Sequence, residues 1–259
     1  AGTFLVEPEP SLREVLAFLV EGKEHQFSIT FVEGSRFSEW LEQLQQAKYL
    51  EHSLADLSET EIAKKLDIDR DKLEGLFLAE TYYYTLGTSD FDILKRAHQR
   101  LNTILNEEWE NRQKKLPFDS AYQALILASI IEKETGVPEE RTEISGVFVR
   151  RLQKNMRLQT DPTVIYGLGD SYQGNITRKH LRQETAYNTY VISGLPPTPI
   201  ALVGRAAINA ALNPKPGKSL YFVAKGDGTH YFSETHKEHI NAVNKYQIYK
   251  RKKSYRSTK

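Results

Sequence analysis

Residues 118–138 have the sequence FDSAYQALILASIIEKETGVP, and the rest of the chain is organised around this stretch. Ser120 is followed three residues later by Gln123, which predicts a capping box at a helix N-terminus. Gly136 followed by Pro138 predicts the point at which the helix stops. The stretch therefore predicts one helix of about four turns.

The middle of this helix has no polar face that would favour exposure to solvent. Every residue of 124–131 except Ser129 is apolar, which predicts a buried central helix. Its last turn carries Glu132 and Glu134, which point about 200° apart. The two carboxyl groups cannot converge on one atom, and the periodicity does not decide which of them faces a site.

An acid in this last turn has the surroundings that a general acid needs. Apolar neighbours and the negative end of the helix dipole both disfavour the carboxylate, so they raise the pKa. A glutamic acid that stays protonated near neutral pH can give its proton to a substrate. The alternative is that both acids are solvated and pair with Lys133 or Arg141.

The composition limits the class of protein. The 259 residues are 39% hydrophobic, enough for one substantial core or two smaller ones, and a net charge of +1 argues against a general nucleic-acid or membrane-surface binder. Cysteine is absent, which excludes disulfides and thiolate metal sites. No apolar run reaches the roughly 20 residues of a membrane span.

Three blocks of the chain carry a resemblance to a known family. They are ASIIEKETGVPEERTEISGVFVRRLQKNMRLQTDPTVIYGLG (128–169), AYNTYVISGLPPTPI (186–200) and SLYFVAKGDGTHYFSETHKEH (219–239). The blocks are similar to the YceG family, the endolytic murein transglycosylases. The catalytic acid of that family is the second glutamate of an E-K-E-T motif, so the resemblance assigns the role to Glu134.

The sequence pattern predicts an α+β fold with four regions, of which the resemblance identifies the first as LysM-like. They are a partial LysM-like N-terminal subdomain (1–35), a mostly helical satellite subdomain (36–115), a mixed catalytic core around the buried central helix (116–250) and a basic tail (251–259).

Local patterns predict the other elements. These are a strand Thr3–Val6, a helix opened by Ser11, a strand Gln26–Val32, helices opened by Ser38 and over Ser58–Leu66, Asp71–Leu76 and Asp92–Gln113, an amphipathic helix over Glu139–Asn155 with Arg150, Arg151 and Lys154 outward, a helix Ala201–Leu212 and a hairpin of Leu220–Ala224 with Thr229–Phe232.

Candidate contacts to substrate lie after the central helix. Pro162 predicts a helix N-terminus with Asp161 as its cap, which leaves Gln159 and Thr160 in an exposed turn, free to contact substrate. The alternation of polar and aromatic residues in 187–190 suits an edge strand or groove wall. The residues expected to hold the sugar are Gln159, Thr160, Tyr166, Tyr187, Asn188, Tyr190 and His230, with Glu132 and Asp161 in supporting positions.

Asn188 can both donate and accept hydrogen bonds, which suits an acetamido group. His236 and His239 have the i,i+3 spacing of a metal pair, but no acidic ligand pattern completes a zinc site. We therefore expect no metal and no cofactor, with His230 a residue of the groove.

The function implied by the resemblance is cleavage of the β-1,4 bond between N-acetylmuramic acid and N-acetylglucosamine within peptidoglycan strands, giving 1,6-anhydromuramoyl ends. One alternative is a non-catalytic peptidoglycan-binding or scaffold module. Another is a lysozyme-like hydrolase, which needs a second carboxylate within about 5–9 Å, supplied by Asp161 or Glu184.

The family also sets expectations for the setting of the protein. Its members usually carry an N-terminal membrane helix, so we expect this chain to be a fragment of a protein held in the cytoplasmic membrane with its catalytic domain facing the cell wall. Glycan strands and cell-wall synthesis proteins are the expected partners, and nucleic acid is not.

Overall fold

The computed structural model describes residues 3–4, 11–22 and 24–249, and within them the chain has the predicted α+β fold. The helices and strands are α1 (Leu12–Glu21), β1 (Phe27–Thr30), α2 (Phe37–Gln46), α3 (Glu59–Lys65), β2 (Thr81–Tyr84), α4 (Asp90–Glu110), α5 (Ala121–Glu134), α6 (Arg141–Gln153), α7 (Asp161–Leu168), α8 (Arg205–Leu212), β3 (Tyr221–Ala224), β4 (His230–Ser233) and α9 (His236–Val243). Three 3-10 turns (Pro138–Glu140, Gly169–Ser171 and His180–Arg182) and a π-helical turn (Asn244–Tyr249) join them.

Helix α5 is the predicted central helix, and its cap differs in one detail. The Ser120 hydroxyl accepts the backbone N–H of Gln123 at 3.4 Å, as a cap should. The side chain of Gln123, however, accepts the N–H of Asp119 at 2.8 Å, so the predicted capping box forms only by half. The helix ends at Glu134, where the N–H of Thr135 still reaches back to the carbonyl of Ile131.

All residues of 124–131 are buried, as the missing polar face predicts. The hydroxyl of Ser129 avoids an unpaired state by donating to the carbonyl of Ile126 at 2.7 Å and accepting the N–H of Ile200 at 3.0 Å. Around α5 pack α4, α6, α7 and α8. The hydrophobic core that includes this helix extends from Ile29 in β1 to Leu212 in α8.

Two antiparallel pairs of strands flank the helices. Strand β1 pairs with β2, and β3 pairs with β4 in the predicted hairpin, where Phe222 lies opposite Phe232. The helix predicted from Ala201 begins only at Arg205. The prediction was wrong there because Leu202 and Val203 are extended and bond to the backbone of other segments, including 2.9 Å between the N–H of Ala79 and the carbonyl of Val203.

The predicted helix Asp71–Leu76 does not form. The carboxylate of Glu59 accepts the N–H of Leu73 at 2.6 Å, which ties this segment to the start of α3. Gly75 has a left-handed φ of 76°, and a Cβ there would lie 2.3 Å from Pro199. The chain turns here so that it can approach the 199 loop closely.

Helix α1 forms as predicted, with a complete capping box between Ser11 and Glu14, yet none of its residues is buried. Leu12 is 77% exposed and Val20 is 84% exposed. The predicted strand Thr3–Val6 lies partly, and the basic tail 251–259 wholly, outside the described residues. Among the helices of the described ranges, none combines the length and apolar content of a membrane span.

Candidate active site

The end of α5 opens onto a cleft of about 910 Å³. Its walls come from α5, the 158–160 segment, α7, the 172–176 loop, the β3–β4 hairpin and α9. Glu134, the last residue of α5, lies in this wall as a half-buried side chain. A core helix thus delivers one carboxyl group to a concave surface, the usual shape of a small-molecule site.

The carboxyl group of Glu134 is held and tuned by its neighbours. The hydroxyl of Thr160 donates a hydrogen bond to its Oε1. Burial raises the pKa of Glu134 to about 7, the Thr160 hydrogen bond opposes that rise, and the charge of Asp161 adds to it. A carboxyl group with such a pKa can carry a proton at neutral pH and also release it.

Thr160 is placed by a network of hydroxyl groups. Its backbone N–H donates to the hydroxyl of Thr189 at 3.0 Å, and the hydroxyls of Thr163 and Thr189 lie 2.8 Å apart. Gln159, one residue earlier, adopts a left-handed φ of 52° and donates its N–H to the carbonyl of Thr189 at 3.1 Å. The prediction of an exposed turn was therefore wrong for Thr160, which is only 2% exposed.

Glu132 faces away from the cleft. One of its oxygens accepts a hydrogen bond from Arg141 at 3.1 Å, and the other accepts the N–H of Gly204 at 3.1 Å. Its side chain is 3% exposed, and burial raises its pKa. The opposed directions predicted for the two acids are confirmed, and Glu132 ties the end of α5 to the segments that begin α6 and α8.

Asp161 lies beside Glu134 in the same cleft. It is the first residue of α7, and the N-cap is Thr160, so the predicted capping role of Asp161 was wrong. Its carboxyl group instead accepts a hydrogen bond from the hydroxyl of Tyr190 at 2.7 Å. Burial raises the pKa of Asp161, and the hydrogen bond from Tyr190 lowers it.

Comparison with known proteins identifies the family of this chain. The model of the YceG-like family matches residues 1–245. The chain belongs to the YceG-like family. An endolytic murein transglycosylase of Bacillus subtilis is 39% identical over 175 residues, which are 67% of this chain and 48% of that protein.

A second endolytic murein transglycosylase, from Streptococcus pneumoniae D39, is 28% identical over 180 residues, covering 67% of this chain and 32% of that protein. The chain thus spans half or less of the length of the curated relatives that it matches. A crystal structure of a YceG-like protein from Listeria monocytogenes superposes with a TM-score of 0.65 at 29% identity, over 88% of this chain and 80% of that one.

Of the other predicted contacts, Gln159, Tyr166, Tyr190 and His230 line the cleft of this YceG-like chain. His230 is held from behind, because Glu140 accepts its backbone N–H at 2.8 Å and lies 2.7 Å from its Nδ1. A carboxylate in that position favours the neutral tautomer with the proton on Nδ1. In this tautomer Nε2 carries no proton and can accept a hydrogen bond.

Tyr187 and Asn188 do not line the cleft. The hydroxyl of Tyr187 lies 2.8 Å from that of Thr198. Asn188 is 1% exposed, and its amide donates to the carbonyls of His180 and Gln183 at 3.1 and 2.7 Å. The segment 187–190 is a turn and not the predicted edge strand, and Asn188 is used up in folding it instead of facing an acetamido group.

The cleft also contains residues that were not among the predicted contacts, including Arg151, Tyr221, His236 and His239. Arg151 was predicted to point outward, yet it is 7% exposed. A signal was present, because Arg151 follows the buried Val147 and Phe148 by four and three residues and therefore shares their face of α6. Within the described parts of the chain, no group of three or more acidic or histidine side chains could hold a metal ion.

Proposed function

We propose that this chain is the catalytic part of an endolytic lytic transglycosylase, which cleaves the N-acetylmuramic acid to N-acetylglucosamine bond inside peptidoglycan strands. The observation that carries the proposal is the Glu134 carboxyl group, with a pKa of about 7, in the wall of a large cleft. Membership of the YceG-like family and the names of its curated relatives point to the same reaction.

Glu134 acts first as the acid. Because Oε1 accepts the Thr160 hydrogen bond, the proton of the neutral carboxyl group is expected on Oε2. It passes to the glycosidic oxygen as the bond from that oxygen to C1 of the muramoyl residue breaks, and positive charge develops on the sugar. The N-acetylglucosamine portion leaves with a hydroxyl group.

Glu134 then acts as the base. The carboxylate takes the proton of the muramoyl 6-hydroxyl while that oxygen forms a bond to C1, which closes the 1,6-anhydro ring. The proton given in the first step is recovered in the second, and no water is consumed. An internal nucleophile removes the need for the second carboxylate that directs water or forms a covalent intermediate in ordinary glycosidases.

The surrounding residues bind the sugar and adjust the pKa of Glu134. We assign contacts with the sugar to Gln159, Tyr166 and His230, which line the cleft and leave polar or aromatic groups facing it. Tyr190 holds Asp161, whose negative charge helps keep the proton on Glu134 and favours the positive charge of the transition state.

The test is a digest of purified peptidoglycan sacculi by the wild-type chain and by Glu134→Gln. The wild type should release fragments with anhydromuramoyl ends, detected by mass spectrometry, and the variant should release none. Glu139→Gln is the matched control, since Glu139 is an exposed acid beyond the end of the same helix. Lytic activity that survives in Glu134→Gln would reject the assignment.

A hydrolase is the second candidate, and one observation favours it: Asp161 is a second carboxyl group in the same cleft. A hydrolase would add water, so its products would carry reducing muramic acid ends, heavier by one water than anhydro ends. A protein that binds sacculi and releases no fragments would instead be a scaffold module. The same mass spectra separate all three functions.

We further propose that the whole protein is held at the cytoplasmic membrane, with this region facing the cell wall beside the proteins that synthesise it. The support is the family alone. Fractionation of cells that express the full-length protein tests it, and recovery in the cytoplasmic fraction would reject it.

A further inference from the structure

The positive charges that line the cleft differ in whether an acid accompanies them. Lys133 has Glu39, Glu74 and Glu132 within electrostatic reach, and Arg36 lies within electrostatic reach of Glu74. Arg151 has no such partner. Among the described residues no carboxylate forms an ion pair with it, and the groups that favour its charge are tyrosines. A buried cation without an acid is uncommon in proteins.

Arg151 is nevertheless rigidly held. Its Nε donates to the carbonyl of Leu220 at 2.7 Å, and its Nη1 donates to the carbonyl of Leu158 at 2.9 Å. Nη1 also lies 3.3 Å from the side-chain oxygen of Gln159, the residue before Thr160. These neutral acceptors fix the guanidinium group in the wall of the cleft but leave its positive charge unneutralised.

Two histidines lie close to Arg151, because all three side chains surround the ring of Tyr221. The guanidinium carbon of Arg151 lies 5.0 Å from the centre of the Tyr221 ring. On that ring His239 stacks at 5.2 Å with a 22° angle between planes, and His236 lies 5.9 Å away. All four side chains line the cleft.

These surroundings affect the pKa and the hydrogen bonding of His239. Burial lowers its pKa, and the nearby Arg151 and His236 lower it further. Its Nδ1 is enclosed and has no hydrogen-bond partner within the described chain. Glu238, the acid beside it in the sequence, is directed away by its hydrogen bonds to the N–H groups of Glu234 and Thr235.

We propose that Arg151, His236 and His239 form an anion subsite around Tyr221 in the wall of the cleft, which binds a carboxylate of the peptide stem on the muramoyl residue of the substrate. The inference rests on the proposed function, because the stem is part of a peptidoglycan strand. An incoming carboxylate would supply the negative charge that Arg151 lacks, and Tyr221 would pack against the stem. The subsite would let the enzyme prefer strands that carry charged stems.

The test compares three purified glycan substrates. One carries intact stems, one carries stems whose carboxylates have been converted to amides, and one has been stripped of its stems by an amidase. The measurement is kcat/KM for release of anhydro ends from each. The wild type should cleave strands with intact stems about five- to tenfold better than either of the other two.

His236→Glu places a negative charge in the subsite at an exposed position, and His239→Gln removes a ring nitrogen. Both should bring the preference for intact stems toward unity, and both are checked for folding by thermal unfolding. His52→Glu is the matched control, because His52 is exposed and does not line the cleft; it should keep the wild-type preference.

Equal cleavage of intact and amidated strands by the wild type would overturn the subsite, and so would a His236→Glu variant with the full preference. Either result leaves the proposed function standing, since strands are still cleaved to anhydro ends. Failure of the wild type on all three substrates would instead reject the proposed function.

Discussion

Glu74 is a buried acid and Glu134 is a half-buried one, and the two lie in different regions of the molecule. Burial raises the pKa of each to about 7. Glu74 follows α3, is 6% exposed and accepts the N–H of Phe37 at the start of α2 at 3.0 Å. Glu134 accepts a side-chain hydroxyl and lines the cleft, which Glu74 does not. A raised pKa alone therefore does not identify a catalytic acid; contact with a substrate-sized space does.

The largest expected difference between the two acids is in catalysis. Glu134→Gln should lower the rate of anhydro-end release by about 10²–10⁴-fold, the usual contribution of a general acid and base. Glu74→Gln should stay within about threefold of wild type, because a glutamine oxygen can still accept the N–H of Phe37. Initial rates on purified sacculi measure both. A large loss of rate in Glu74→Gln, with no loss of thermal stability, would contradict the distinction.

In stability the two acids should behave alike. Below pH 4.5 each acid is protonated in both the folded and unfolded states, so its titration does not lower the free energy of unfolding. Between pH 4.5 and about 7 the unfolded chain releases the proton and the folded chain retains it, so folding loses stability as the pH rises. The loss is at most about 3 kcal/mol for each acid.

Both Glu74→Gln and Glu134→Gln should therefore raise the free energy of unfolding at pH 8, and neither should change it at pH 4. Urea unfolding at the two pH values measures the effect, with the exposed Glu139→Gln as the control. Stabilisation at pH 4 that equals the one at pH 8 would mean that the gain comes from packing and not from the proton.

The sequence predicts the parts of this site that depend on local chemistry. Ser120, the apolar run and Glu134 as the final residue of α5 lie within about four turns of one helix, so propensity and periodicity suffice. The choice between Glu132 and Glu134 is not local. It depends on Arg141, on Gly204 and on a cleft built from segments far along the chain.

The wrong predictions have the same origin. Arg151 was expected in solvent, but it donates to Leu220, 69 residues later. Thr160 was expected to be exposed, but it is covered through hydrogen bonds to Thr189, 29 residues later. A sequence pattern places a side chain on a face of its own helix or turn, and the distant backbone decides whether that face is buried.

A smaller effect should follow from Thr160, whose hydroxyl donates a hydrogen bond to Glu134. Thr160→Val keeps the shape and removes the hydrogen bond to Glu134, so Oε1 loses its donor and the position of the proton is no longer fixed. The rate should fall about tenfold. Because the hydrogen bond lowers the pKa of Glu134, its loss should raise that pKa and move the alkaline limb of the rate profile to higher pH.

Thr160→Ser keeps the hydroxyl and should retain most of the activity, which separates the hydrogen bond from the packing of the side chain. A pH profile of kcat/KM for both variants makes the comparison. An alkaline limb that moves to lower pH in Thr160→Val would show that the hydroxyl does not stabilise the carboxylate.

The smallest effect tests the second carboxyl group of the cleft. Asp161→Asn keeps an oxygen that can accept the Tyr190 hydroxyl and removes the negative charge that helps raise the pKa of Glu134. Glu134 should then lose its proton at lower pH, and the alkaline limb of kcat/KM should move down by less than about one pH unit. Asp119→Asn, an exposed acid just before α5, is the control and should leave the profile in place. A group that only shifts the pKa of Glu134 moves the profile along the pH axis, whereas a group that takes part in the reaction changes the height of the profile. A loss of three orders of magnitude at every pH would therefore give Asp161 a direct part in the reaction. It would favour the two-carboxylate hydrolase.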